Sequence, residues 1–446
     1  MLNCIYLLEF NPKKIMKSNY TTLILIFGMA LFAMFFGAGN FLLPSYIGSQ
    51  VGNSWFQAIV GFGISGIIAP FVGILAVVLS GKNFSDLGDR IHPQLTSILA
   101  TIIILCIGPL LAIPRTGATI LEVVVSPLYE DASAIWTSIL YFLAVFAISL
   151  SPRKIVEIVG KYLTPLLLIC LVVLVIVGAS HSFEILPSSN AVHKVDAMSY
   201  AFQEGYQTMD VLASVFFAGI LVHAARNRGY VSIEDKNRIV IGAGYVAMAL
   251  LLIVYGGLIY VGAHTELGDE SLSKSQLLLA LATQFFGESG LYLVSLTMIL
   301  ACLTTSVALT ASFAYFFARI TNNKMGYHEG VITCTIISIV LSISSLDEMW
   351  TYAGGILSFI YPIVLVMILF VLLFGKYVLP KTPYLVAIVT ATVMSMIALL
   401  PSCGITDLES FRMSLPLSKH NLEWLLPSLF TFLVTTFTLK KHNPLK

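Results

Sequence analysis

Residues 21–47 read TTLILIFGMALFAMFFGAGNFLLPSYI, a run apolar enough to cross a membrane as one helix. Its centre, however, holds Gly37-Ala38-Gly39-Asn40, with Pro44 close behind. Lipid supplies no hydrogen bonds, so helix-breaking residues at that depth survive only where protein or a water-filled cavity satisfies the freed backbone. A second run, residues 201–226 (AFQEGYQTMDVLASVFFAGILVHAAR), is interrupted at Glu204-Gly205-Tyr206-Gln207-Thr208-Met209-Asp210. Interrupted spans at corresponding places in two halves of a chain point to a binding site between the halves.

Apolar residues make up 58% of the 446 and charged residues 11%. Apolar runs of about twenty residues recur along the chain, which excludes an ordinary soluble domain. They divide into spans near 21–47, 56–80, 97–126, 134–150, 162–180, 199–226, 238–263, 290–320, 330–345, 349–375, 383–401 and 422–439. The prediction is an all-α, polytopic membrane protein of about 12 transmembrane helices. The third and tenth spans have room for further breaks.

Basic residues sort by side. Nineteen of the 24 Lys and Arg, from Lys13 to Lys446, fall in loops on the side of the N-terminus, whereas the opposite loops hold Lys194, Lys274, Arg412 and Lys419. Basic loops stay cytoplasmic during insertion, so both termini are expected in the cytoplasm and the number of spans should be even. The first sixteen residues lack a long apolar core with a small-residue cleavage site, so no cleaved signal peptide is expected. Met16-Lys17 is an alternative start. The six cysteines, Cys4, Cys106, Cys170, Cys302, Cys334 and Cys403, show no paired spacing and are read as small apolar residues.

The two breaks lie far apart, and each opens a group of five spans. The expected organisation is a tail (1–20), a first five-helix repeat (21–180), a second repeat (199–375), two added helices (383–439) and a tail (440–446). An odd number of spans per repeat inverts the second in the membrane. The longest outer loop, 264–289, carries Glu266, Asp269, Glu270 and Glu288 around Leu277-Leu278-Leu279 and is expected to form a surface helix. No segment resembles a soluble domain, so no ATP-hydrolysing motor is read in the chain.

At the first break, Gly37, Ala38, Gly39 and Asn40 let backbone approach a ligand closely. Unwinding there frees N–H groups suited to a carboxylate and C=O groups suited to a cation. Small residues also serve simple helix packing. The second break adds the acids Glu204 and Asp210, whose charge at membrane depth marks an ion or substrate path. In the third span Arg115 and Glu122 share a helix face, and structural ion pairing with other helices is favoured over substrate contact. The eighth span carries Thr304, Thr305 and Ser306, hydroxyls that would suit a hard cation or merely bond back to their own helix. No histidine lies deep in a span, so a metal centre or histidine relay is not expected, and no nucleophile–base arrangement suggests an enzyme.

Gly37-Ala38-Gly39-Asn40, the 107–116 segment IGPLLAIPRT, Glu204 to Asp210 and Ala301-Cys302-Leu303-Thr304-Thr305 together resemble the bacterial branched-chain amino acid carriers, the BrnQ or LIVCS family of cation symporters. The resemblance covers the chain from about residue 18. It implies the LeuT-like five-plus-five inverted-repeat fold, import of leucine, isoleucine and valine, and a bacterial cytoplasmic membrane. It also implies a sodium site formed by Ala33, Phe36, Ala301, Thr304 and Thr305. One departure stands out: LeuT-like amino acid carriers place an arginine shortly after Asn-Phe, where this chain has Leu42-Leu43, so their outer charged gate is not carried over.

The expected activity is secondary import of branched-chain amino acids coupled to sodium, with proton coupling as the alternative. A channel is a more distant reading, because the breaks are local and flanked by apolar helix, and so is a sensor, because no signalling domain is read in the sequence. The substrate-binding set is Gly37, Ala38, Gly39, Asn40, Glu204, Gly205, Tyr206, Gln207 and Thr208. The expected partners are the amino acids, the coupling ion and the lipid bilayer. No cofactor, nucleic acid or obligatory protein partner is expected.

Overall fold

The computed structural model describes residues 20–80, 91–129, 131–151, 154–180, 196–265, 272–322, 324–400 and 409–442, and every regular element among them is helical. The α-helices are α1 Tyr20–Phe35, α2 Ala38–Val51, α3 Trp55–Gly63, α4 Ala69–Ser80, α5 Pro93–Leu105, α6 Ala112–Thr119 and α7 Ala134–Ser149. They continue with α8 Ile155–Ile158, α9 Thr164–Ser180, α10 Ala197–Glu204, α11 Asp210–Asn227, α12 Ile233–Ala263 and α13 Lys274–Phe286. The last are α14 Glu288–Ile320, α15 Tyr327–Leu341, α16 Leu346–Phe374, α17 Thr382–Leu399, α18 Glu409–Ser414 and α19 Leu425–His442. Most of the expected tails, together with Cys4, Cys403, Glu266, Asp269 and Glu270, lie outside the described residues.

Eight helical stretches among the described residues are long and apolar enough to cross a membrane, and four shorter apolar helices join them. A helix bonds its own backbone, which is what an apolar solvent demands. Lipid solvates apolar side chains as well as protein does, so aliphatic residues such as Leu140, Ile169, Ile253 and Val340 stay on the outside. The centre is aromatic: Phe27, Phe32, Phe36, Phe41, Phe62, Phe217 and Tyr255 are all nearly inaccessible.

Both breaks are splinted by a neighbour. α12 packs along both α1 and α2, bridging the gap between them. α3 and α4 do the same for α10 and α11. Between α3 and α4 the backbone widens into a π-helical segment, Ile64–Ile68, packed on the turn of the second break. A Cβ on Gly205 would stand 2.0 Å from Ser65 Oγ, so only glycine fits this crossing.

The third span is broken, as its composition allowed. α5 and α6 are separated by a π-helical segment, Cys106–Leu110, in which Gly108 leaves helical geometry (φ −92°, ψ −122°) ahead of Pro109. The tenth span is not broken: α16 runs continuously from Leu346 to Phe374 with Pro362 inside it. In the 264–289 segment, α13 starts at a reciprocal cap in which the Ser273 hydroxyl and the Gln276 side chain each bond the other's backbone N–H. It is more than a surface helix, for Leu277, Leu278, Leu281 and Ala282 are buried. The described cysteines, Cys106, Cys170, Cys302 and Cys334, are free and buried.

Candidate functional site

The first break is short. α1 ends at Phe35, Gly37 is extended (φ −105°, ψ −165°), and α2 starts at Ala38. Each helix end leaves backbone groups without an intrahelical partner, so carbonyls of α1 and N–H groups of α2 are freed side by side. Two glycines allow close approach here. A Cβ on Gly37 would lie 3.0 Å from Thr305 Oγ1, and one on Gly39 would lie 3.0 Å from Arg115 Nη2 and 3.4 Å from the Trp350 ring.

The second break is a 3-10 turn, Gly205–Thr208, followed by Met209 in the left-handed region (φ 62°), after which Asp210 opens α11. A non-glycine residue with positive φ is uncommon and costs on the order of 1 kcal/mol, so surrounding structure must hold it. The Thr208 hydroxyl donates to Gly205 O at 2.8 Å, and the Arg115 Nη1 donates to Gln207 O at 2.9 Å, which supplies part of that hold.

One side chain joins the two breaks. Asn40 Nδ2 donates to Asp210 Oδ2 at 2.6 Å and to the Tyr255 hydroxyl at 2.5 Å. Asn40, Asp210 and Tyr255 are 2%, 3% and 1% exposed, so the three groups satisfy one another out of water. A single cavity lies beside this bridge, with Gly37 to Asn40, Arg115, Thr208 to Asp210 and Thr305 on its polar side. Met34, Ile107, Ala213, Phe217 and Leu309 form its apolar side. The walls stand close, leaving room for about one water molecule, so a larger guest requires them to part. A roomier crevice between α5, α16 and α17 is almost wholly aliphatic and offers only threonine hydroxyls, a poor match to any charged ligand.

Of the nine residues expected to bind substrate, the structure brings Gly37, Ala38, Gly39, Asn40 and Thr208 to this cavity. Glu204, Gly205, Tyr206 and Gln207 do not line it. Glu204 forms an ion pair with Lys274 at 3.4 Å, and Tyr206 stacks on Tyr361 with centroids 4.5 Å apart. Gln207 reaches the site through its backbone carbonyl.

The five residues expected at a sodium site fare similarly. Thr304 Oγ1 lies 2.9 Å from Ala33 O, 2.9 Å from Leu300 O and 3.0 Å from Ala301 O, and Thr305 Oγ1 lies 3.2 Å from Ala33 O. A hydroxyl has one proton to give. Three carbonyls around Thr304 therefore form an oxygen-rich cluster that a small hard cation would suit. Phe36 sits at the break with its ring stacked on Phe32, and no hydrogen bond among the described residues ties its carbonyl to the other four.

Arg115 is the residue that the sequence placed least well. It is 4% exposed, yet it belongs to none of the ion pairs formed among the described residues. Its guanidinium lies 4.4 Å from the Trp350 ring centre, and Lys274 Nζ also lies 4.4 Å from that ring. Glu122, expected on the same helix face, lies in a π-helical segment and accepts a hydrogen bond from Ser275 instead. Tyr255 and Trp350 carried no signal in the sequence, since aromatic residues on apolar helices are commonplace.

The sequence model of the family described as "Branched-chain amino acid transport protein" matches residues 20–442. A provisionally named branched-chain amino acid carrier protein of Staphylococcus epidermidis is 33% identical over 416 residues, covering 90% of this chain and 92% of the relative. A similarly named Staphylococcus aureus protein is 30% identical over 445 residues, covering 94% and 98%. Among solved structures, Mhp1, a nucleobase-cation-symport-1 family transporter in a closed conformation with bromovinylhydantoin bound, aligns with a TM-score of 0.60. That alignment has 13% identity over 94% of this chain and 92% of Mhp1. MhsT in complex with L-phenylalanine aligns with a TM-score of 0.57 and 16% identity over 93% and 98%. At such identities the likeness is one of fold, the LeuT-like fold of membrane transporters. The chain belongs to the family of branched-chain amino acid transport proteins, multi-pass membrane transporters rather than enzymes.

Proposed function

We propose that this protein imports leucine, isoleucine and valine across a bacterial cytoplasmic membrane by sodium symport, alternating access around the cavity between the two breaks. The observation that carries the reading is the Asn40 bridge, which couples the two broken helices at one small polar cavity inside an apolar bundle. The freed N–H groups of Ala38 to Asn40 receive the carboxylate, and Asp210 with the carbonyls of the second break receives the ammonium. The apolar wall of Met34, Ile107, Phe217 and Leu309 receives the branched tail. Sodium is held by Ala33, Ala301, Thr304 and Thr305, with Phe36 joining as the break adjusts.

The proposed architecture is twelve spans with both termini cytoplasmic. It comprises two inverted five-helix repeats, 21–180 and 199–375, followed by two helices within 383–439. The reciprocal splinting supports it: the helix after the second broken span lies along the first, and the helix after the first lies along the second. An inverted repeat would place those contacts in that way.

Counterflow in proteoliposomes tests the reading. The protein should exchange labelled for unlabelled leucine, and uptake should collapse when choline replaces sodium at constant pH. Leucine exchange undiminished in choline would overturn sodium coupling and favour protons. One observation favours that second reading: Asp210 is a buried carboxylate at the cavity, a place suited to a coupling proton. No exchange at all would overturn the transport reading.

A further inference from the structure

Arg115 is a buried cation that forms no ion pair among the described residues, the opposite charge of Asp210 acting on it only from a greater distance. Withdrawing a guanidinium from water is costly unless it is paired and hydrogen-bonded. It has five N–H donors, and its one hydrogen bond among the described residues goes to Gln207 O. The Trp350 ring offers partial compensation from its face. The carboxylate that shares its cavity, Asp210, is bonded to Asn40 and stands beyond ion-pair distance from it. Nη2 borders the slot kept open by the missing side chain of Gly39, on the cavity wall. The cavity thus presents a cation and an anion that attract each other without a direct ion pair, the pattern complementary to a zwitterion.

We propose that Arg115 is the counter-ion for the substrate's carboxylate, which binds against Nη2 beside Gly39 and the freed N–H groups of α2. This rests on the amino acid transport reading and deepens it. A planar guanidinium presents paired donors that match a carboxylate, and such charge-assisted bonds are about twice as strong as neutral ones. The site therefore selects amino acids with a free carboxylate over their amides. Because Arg115 also touches Trp350, and Trp350 touches Lys274, a bound carboxylate is linked to the outer loop helix α13.

The test compares leucine with leucinamide, which keeps the ammonium and the tail but lacks the carboxylate, as competitors of labelled leucine or isoleucine binding to the purified full chain. The wild type should prefer leucine. In Arg115→Gln the leucine affinity should fall by about tenfold to a hundredfold, while leucinamide affinity stays level or improves, so that discrimination disappears. Parallel loss for both ligands would show that Arg115 only props the Gln207 turn, and would overturn the proposal while leaving transport intact. Should Arg115→Gln fail to fold, Arg115→Lys keeps the charge but not the fork. Leucine should then weaken several-fold with leucinamide unchanged, and equal changes in both would overturn the proposal. A wild type that binds no branched-chain amino acid would instead overturn the transport reading itself.

Discussion

Thr304→Val removes one oxygen from the Ala33, Ala301, Thr304 and Thr305 cluster while keeping the shape of the side chain. The hydroxyl touches three carbonyls at 2.9–3.0 Å and is fully buried, so no water stands ready to replace it. A sodium ion short of one ligand there loses an interaction comparable to a hydrogen bond with a charged group, about 1.5–3 kcal/mol. That corresponds to roughly tenfold to a hundredfold in sodium affinity. The Thr304–Ala33 bond also ties α14 to α1, but interhelical hydrogen bonds in membranes average only ~0.6 kcal/mol, so the fold should survive. The assay is initial leucine uptake into proteoliposomes against external sodium, at constant pH and ionic strength. Half-saturation should shift upward by the stated factor, and the maximal rate should return at high sodium because the substrate's own contacts are intact. Thr304→Ser, which keeps the hydroxyl, should stay within a few-fold of wild type. An unchanged sodium dependence in Thr304→Val, or a Ser variant as impaired as the Val variant, would refute the reasoning.

Gly39→Val puts a branched side chain against Arg115 Nη2 and Trp350 and should abolish leucine uptake while the protein still inserts; normal uptake at normal membrane abundance would sink the proposed site. Asn40→Ala leaves Asp210 and Tyr255 without their shared donor, at about 1–3 kcal/mol for each group left unsatisfied, and should lower both the melting temperature in detergent and leucine affinity. An unaltered melt would show that the bridge holds little. Asp210→Asn and Glu204→Gln should differ: the first weakens leucine binding measured by scintillation proximity, whereas the second, by releasing Lys274, alters exchange rate more than affinity. Equal loss of affinity in both variants would contradict this division.

The two breaks were legible because their cause is local. Glycines beside an asparagine, or an acid followed by Gly-Tyr-Gln-Thr, conflict with a continuous lipid-facing helix in any tertiary setting. Which acid faces the site was not legible. The sequence reading put Glu204 in the substrate-binding set and left Asp210 out of it, whereas Asp210 lines the cavity and Glu204 pairs with Lys274. A 3-10 turn and a left-handed Met209 reset the rotation between them, and neither feature has a reliable signature in the residues themselves. The splinting of the breaks and the roles of Tyr255 and Trp350 depend on contacts across more than a hundred residues, where periodicity carries no information.

Arg115 was misread for a related reason. Structural ion pairing with other helices was expected of it, yet it forms none among the described residues, and Glu122, within a π-helical segment at Ile120–Val125, turns to Ser275. Where LeuT-like amino acid carriers place an arginine soon after Asn-Phe, this chain has Leu42 and Leu43, and both are wholly buried. The cations near that end of the cavity come from elsewhere: Arg115 from α6 and, across the Trp350 ring, Lys274 from α13. A motif comparison looks for a charge at a position along one helix. The electrostatics of a small cavity depend only on where the charge arrives in space, and a third helix or an outer loop can deliver it equally well. Glu204, which the sequence assigned to the substrate, holds Lys274 at that end of the site. On the proposed reading its carboxylate acts on the ligand through the cation it restrains, which is why its neutralisation should change how fast the site opens more than how tightly it binds.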